Sequence, residues 1–182
     1  MNKSRRTWMR FALATVVVSL LAGALTAADK DKGKKFRATL DGGQETPAIA
    51  TEATGEFRAT LNQAGDQLSY ELTYSGLEGG DTLFAHVHLG QADVAGGVMF
   101  FLCGGGGKPA CPNGKGTVTG TVDASNVIGP AGQGITAGQF DKVIDAMRDR
   151  VSYANVHTTS FPSGEIRGQI NDRREVRERS FP

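Results

Sequence analysis

Leu68-Ser69-Tyr70-Glu71-Leu72-Thr73-Tyr74 carries the strongest period-two signal in the chain. Leu68, Tyr70, Leu72 and Tyr74 alternate with Ser69, Glu71 and Thr73. Successive side chains on an extended strand point to opposite faces, so the pattern predicts a strand with one face in a core and one in water. Just upstream, Phe57, Ala59 and Leu61 alternate with Glu56, Arg58 and Thr60, and Ala64-Gly65-Asp66 between the two runs reads as a hairpin turn.

Further short strands follow outward from this hairpin. Phe36–Leu40 comes first, then the loop Gly42-Gly43-Gln44-Glu45-Thr46-Pro47, where proline bars a central-strand role. Downstream lie Leu83–Leu89, Gly97–Leu102, Gly116–Val122 (its alternation interrupted at Gly120), Ser152–Thr158 and Gly164–Ile170. One helix stands apart. Thr136 and Gln139 have capping-box spacing, and Phe140, Val143, Ile144 and Met147 recur at i, i+3, i+4, i+7. The expected fold is all-β, an antiparallel β-sandwich or Greek-key barrel of about eight strands with one short α-helix.

The 182 residues suit one domain, and 25 glycines suit short strands joined by tight turns. The basic stretch 1–10, the apolar run Phe11–Leu25 and the small residues Thr26-Ala27-Ala28 read as an export signal over 1–28. The run is too short for a permanent membrane span, so cleavage near Ala28 is expected to leave no stable transmembrane anchor. Arg5-Arg6 fits a twin-arginine signal as well as a Sec signal, and both routes end in the periplasm or outside the cell. The 20 basic residues less the four within 1–28 leave 16 against 19 acidic ones, a net charge of −3. With no basic stripe, nucleic acid is not an expected partner. Residues 29–35 form a charged linker, 36–170 the folded domain, and 171–182 a charged flexible tail.

Cys103 and Cys111, the only cysteines, bracket a glycine-rich loop. In an oxidising compartment they are expected to form a disulfide; a thiolate metal site is the rival.

The three histidines fall in two strand-like stretches, Ala85-His86-Val87-His88 and Ala154-Asn155-Val156-His157. His86 and His88 share one strand face, with Phe84, opposite Leu83, Ala85, Val87 and Leu89, which should meet the core. If the second stretch lies across the same sheet, His86, His88 and His157 converge as metal ligands beneath a covering loop. Nitrogen ligation without thiolate fits Cu(II) or Zn(II) better than Cu(I), Mg or Ca, so copper is expected first and zinc second. The alternative is that the imidazoles are hydrogen-bonding fixtures and no metal is bound. Met99, Tyr153 and Asp93 are candidates for a fourth ligand. Ordinary imidazoles would release metal as pH falls toward about 6. Glu165 and Arg167 share a strand face and read as a structural pair bracing the sheet; Glu165 is also the nearest candidate base for a hydrolytic zinc site.

Ala85-His86-Val87-His88 with Gly90 and Gly96-Gly97-Val98 resembles the CHRD (chordin-type) domain. So, above all, does Tyr153-Ala154-Asn155-Val156-His157-Thr158 followed by Pro162-Ser163-Gly164-Glu165-Ile166-Arg167-Gly168-Gln169-Ile170. The opening Ala38–Pro47 and Leu72–Leu77 extend the resemblance over about 36–170. It implies a secreted single-copy bacterial domain; growth-factor binding by chordins is not carried over, because the accompanying cysteine-rich modules are missing. His86, His88 and His157 also match, more weakly, the order of copper-site histidines in copper–zinc superoxide dismutases, but no further histidine remains to complete that enzyme's site. Three functions follow. The first is an exported metal-binding protein serving metal binding or redox protection, without catalytic residues. The second is a metal-free module that recognises an extracytoplasmic protein or polymer. The third is a metal-dependent enzyme of dismutase-like or hydrolytic type.

Overall fold

The computed structural model describes residues 34–172. The expected export signal, the expected linker up to residue 33 and the expected tail from residue 173 onward lie outside the described residues. Among the described residues nine strands form: β1 (Lys35–Asp41), β2 (Thr54–Leu61), β3 (Leu68–Ser75), β4 (Thr82–Leu89), β5 (Gly97–Cys103), β6 (Gly116–Val122), β7 (Ser152–Thr158), β8 (Ile166–Gln169) and β9 (Asn171–Asp172). One α-helix among the described residues, α1 (Phe140–Arg148), lies between β6 and β7 in the chain.

The strands make one sheet in the order β5-β4-β7-β8-β1-β2-β3-β6, with β9 beside β1. Every pairing is antiparallel. The edge strands β5 and β6 approach each other, so the sheet curls into a nearly closed barrel. Leu68, Tyr70, Leu72 and Tyr74 are all buried while their neighbours along β3 are exposed, as the alternation requires. They meet Phe57, Leu40, Val87, Phe100, Leu102, Val156 and Ile166 in the core, each such side chain contributing roughly 1.5–3 kcal/mol by leaving water. The α1 stripe of Phe140, Val143, Ile144 and Met147 joins the same core.

Two devices hold the barrel seam. Tyr70 of β3 donates its O–H to the Leu102 carbonyl of β5 at 2.7 Å. In register with Tyr70 on β6 is Gly120, where any side chain would overlap the phenol. That explains the break in the β6 alternation. The Cys103–Cys111 disulfide, with Cα atoms 5.1 Å apart, closes the loop leaving β5. Lys108 in that loop donates to the Thr121 carbonyl of β6 at 2.5 Å. The two cysteines are therefore bonded to each other and are not thiolate ligands.

Local expectations shift in four places. Helix α1 begins at Phe140 with no side-chain cap; Gln139 instead reaches back to the Thr136 N–H at 2.8 Å, closing a turn ahead of the helix. Asn171 and Asp172, expected to start the flexible tail, pair with Arg37 and Phe36 as β9. Strand β8 begins at Ile166, two residues later than expected. Finally, Leu83 is 37% exposed, because the β4–β7 register slips between Thr82 and Phe84, leaving Ala85 and Val87 as the fully buried pair of β4.

Candidate metal centre

The outer face of β4, β7 and β8 is built by alternation. With Ala85 and Val87 of β4, Ala154 and Val156 of β7, and Ile166 of β8 turned to the core, the residues between them face outward. Register sets His86 beside Asn155, His88 beside Tyr153 and Phe84 beside His157. Next to these on β8 come Arg167, beside Asn155, and Gln169, beside Tyr153. His86 and His157 are therefore diagonal neighbours, with ring centroids 4.4 Å apart, and His86 and His88 are equally close.

This face is not open to water. His86, His88 and His157 are only 4%, 8% and 4% exposed. The connection after β4 folds back so that Gly96 O lies 2.8 Å from His88 Nδ1. The connection after β7 brings Pro162 O to 3.0 Å from His157 Nδ1. Phe84 stacks on His86 at 5.2 Å, and Phe101 of β5 meets the same ring edge-on at 5.2 Å.

Each histidine offers one nitrogen to a common region, and these nitrogens lie within 4.8 Å of one another. A carbonyl accepts only from N–H, so Gly96 and Pro162 fix the Nδ1–H tautomers of His88 and His157 and leave each Nε2 with a lone pair. Those two Nε2 atoms, and Nδ1 of His86, are buried without a hydrogen-bond partner. A backbone carbonyl behind the ring and a bare nitrogen in front is the arrangement found around metal-ligating histidines. Nitrogens at 2.0–2.1 Å from a tetrahedral ion stand roughly 3.3 Å apart, so the three would have to draw closer to share one ion.

The electrostatics keep the rings neutral. Burial, followed by the charges His157 and His88 would carry, pushes His86 down to about 2. Burial lowers His88 to about 4, opposed by the Gly96 bond and assisted by Arg167. Burial lowers His157 to about 4, opposed by the Pro162 bond and assisted by His88. The imidazoles thus stay deprotonated well below the pH of about 6 expected of ordinary histidines.

Of the candidate fourth ligands, Tyr153 has its ring flat against His88 (4.6 Å, 3°) and its oxygen accepting the Gly96 N–H at 3.1 Å. Asp93 is exposed in the β4–β5 connection, and Met99 is fully buried in β5. Among the described residues no carboxylate or cysteine joins the three-histidine cluster. Glu165 and Arg167 are both buried beside it but have separate partners. Glu165 accepts from Thr51 Oγ1 (3.0 Å), Thr158 Oγ1 (2.7 Å) and the Glu78 and Gly79 N–H groups (2.7 and 3.1 Å). Arg167 donates to Thr46 Oγ1 (3.3 Å) and Gln91 O (2.9 Å). Glu165 anchors the connections before β2, before β4 and before β8.

Glu45 was not singled out by the sequence. It accepts a 2.6 Å bond from Asn155 Nδ2, and burial, against the lowering effects of that bond, of Arg167 and of the Thr46 backbone, pushes it up to about 7. Gly164, at φ 130°, leaves the room this pair occupies, since a Cβ there would overlap both side chains. The pair spans 110 residues of sequence, and no spacing rule links a turn glutamate to a strand asparagine that far away.

Fold and site together define a β-barrel protein with a buried three-histidine cluster on the outer face of its sheet. The CHRD domain family model matches residues 36–170, and the chain belongs to that family. No curated protein and no solved structure matches the chain.

Proposed function

We propose that this CHRD-domain protein is exported and binds one transition-metal ion, copper first and zinc second, through His86, His88 and His157. The observation that carries this reading is a cluster of three buried histidines that offer nitrogens within 4.8 Å of one another, each ring keeping a buried nitrogen without a hydrogen-bond partner and two rings held by carbonyls. Left bare, buried polar nitrogens cost stability, on the order of 1–3 kcal/mol each, and a shared ion offsets that cost. Export is supported by the disulfide, which belongs to oxidising compartments, and by the leader-like residues 1–28. Among the described residues no helix is long and apolar enough to cross a membrane.

The role is metal binding or redox protection. Hydrolysis at such a site needs a base, and Glu165 has both carboxylate oxygens engaged by four donors.

Titration calorimetry of the purified protein with Cu(II) and Zn(II), and chelator competition with Cu(I), test the reading. One ion per chain is expected, abolished by His86→Ala or His157→Ala, and retained below pH 6 because burial keeps the rings neutral. No binding of any of these ions at micromolar concentration would overturn the assignment and favour a metal-free interaction module.

A further inference from the structure

We propose that Arg167, stacked on Tyr153 behind His88, biases the three-histidine site toward singly charged copper, Cu(I), over Cu(II) and Zn(II). The inference rests on the metal-site reading above and sets its oxidation-state preference.

Strands β4 and β8 flank β7 on opposite sides, so the Tyr153 ring of β7 lies between His88 of β4 and Arg167 of β8. The ring is 4.6 Å from His88, nearly parallel, and the Arg167 Cζ stands 3.5 Å from its centroid. Arg167 is 2% exposed, and its hydrogen bonds to Thr46 and Gln91 go to neutral acceptors. Among the described residues no carboxylate forms an ion pair with it. A guanidinium always carries its charge, and a buried one acts through a medium that screens it poorly.

That charge stands one aromatic ring behind His88, where it works against any positive charge added to the site. It must work in the same way against a metal cation, and twice as strongly against a doubly charged ion as against a singly charged one. Nothing in the donor set offsets it, because the three imidazoles are neutral and no anionic ligand joins them among the described residues. Glu45 offsets it only in part near neutrality, since burial raises its carboxyl to about 7. The buried Tyr153 ring, stacked against both groups, fills the path between Arg167 and His88. Coordination number points the same way: Cu(II) prefers tetragonal sites, and three histidines do not supply one. Nitrogen ligation alone favoured Cu(II) or Zn(II); the buried charge behind the ligands reverses that order.

The test measures affinities of wild type, Arg167→Gln and Arg167→Lys for Cu(I), Cu(II) and Zn(II) by competition with chelators of known affinity. Wild type should hold Cu(I) at least tenfold more tightly than Cu(II). Arg167→Gln should raise Cu(II) and Zn(II) affinity about tenfold relative to Cu(I), a fall of about 59 mV in the one-electron potential. Arg167→Lys, which keeps the charge and loses the planar stack, should hold the wild-type ratio. An unchanged ratio in Arg167→Gln, or a wild-type preference for Cu(II), overturns the proposal. If Arg167→Gln fails to fold, Arg167→Met, which also removes the charge, takes its place with the same expected shift. Failure of all three ions to bind would instead defeat the metal-site reading, so the two failures are distinguishable.

Discussion

The imidazoles of His86, His88 and His157 make the protein sensitive to acid even without metal. Their pKa values in the fold are about 2, 4 and 4, against an unfolded value of 6.5. Between pH 6.5 and 4 the unfolded chain therefore binds protons that the folded chain does not, and stability falls as pH falls. Each histidine contributes about 1.4 kcal/mol per pH unit in that window. Glu45 acts with the opposite sign, since it keeps its proton up to about 7 and an unfolded glutamate only to 4.5. Three groups oppose one, so denaturant melts of the metal-free protein should show clear destabilisation from pH 6.5 to 5. A flat or rising profile would contradict the burial of the histidines. The histidine cluster was legible in the sequence because two-residue spacing on a strand fixes a face. Their surroundings were not. Glu45, Phe101 and the Gly96 and Pro162 carbonyls reach the site through loops and neighbouring strands, and strand periodicity carries no information about them.

Among the elements, the strands with clean alternation were the ones sequence located best. Strand β3 alternates over its whole length, and Ser152–Thr158 has the bounds its pattern predicts. Boundaries failed where a side chain took over a backbone task, as when Gln139 closed a turn and delayed α1. Gly120 read as a defect in β6, although it is the clearance for Tyr70 of β3, a partner that only the register reveals. The seam between β5 and β6 yields a prediction at this scale. The disulfide closes a loop with a sequence separation of 8, and loop-closure entropy assigns such a cross-link roughly 2–3 kcal/mol. Replacing Cys103 and Cys111 together by alanine should lower the unfolding free energy by about that amount in urea melts. An unchanged free energy would mean that Tyr70 and Lys108 hold the seam unaided.

For the whole molecule, an ordinary core fills the inside of the barrel, and a second, polar interior is built on the outer face of β4, β7 and β8. The all-β class followed from alternation, but the alternation could not distinguish two stacked sheets from one sheet curled nearly shut, because both bury every second residue. The outer interior exists because three loops fold over that face, and it holds buried imidazole nitrogens without hydrogen-bond partners and a guanidinium bonded to neutral acceptors, which a purely structural layer would not require. Long-range ¹H–¹⁵N NMR of the histidine rings, with and without one equivalent of Zn(II), tests the central claim most directly. The metal-free protein should show His88 and His157 as Nδ1–H tautomers. With zinc, the Nε2 signals of His88 and His157 and the Nδ1 signal of His86 should move together to metal-bound values. Ring signals that one equivalent of Zn(II) leaves in place would contradict the three-histidine metal site.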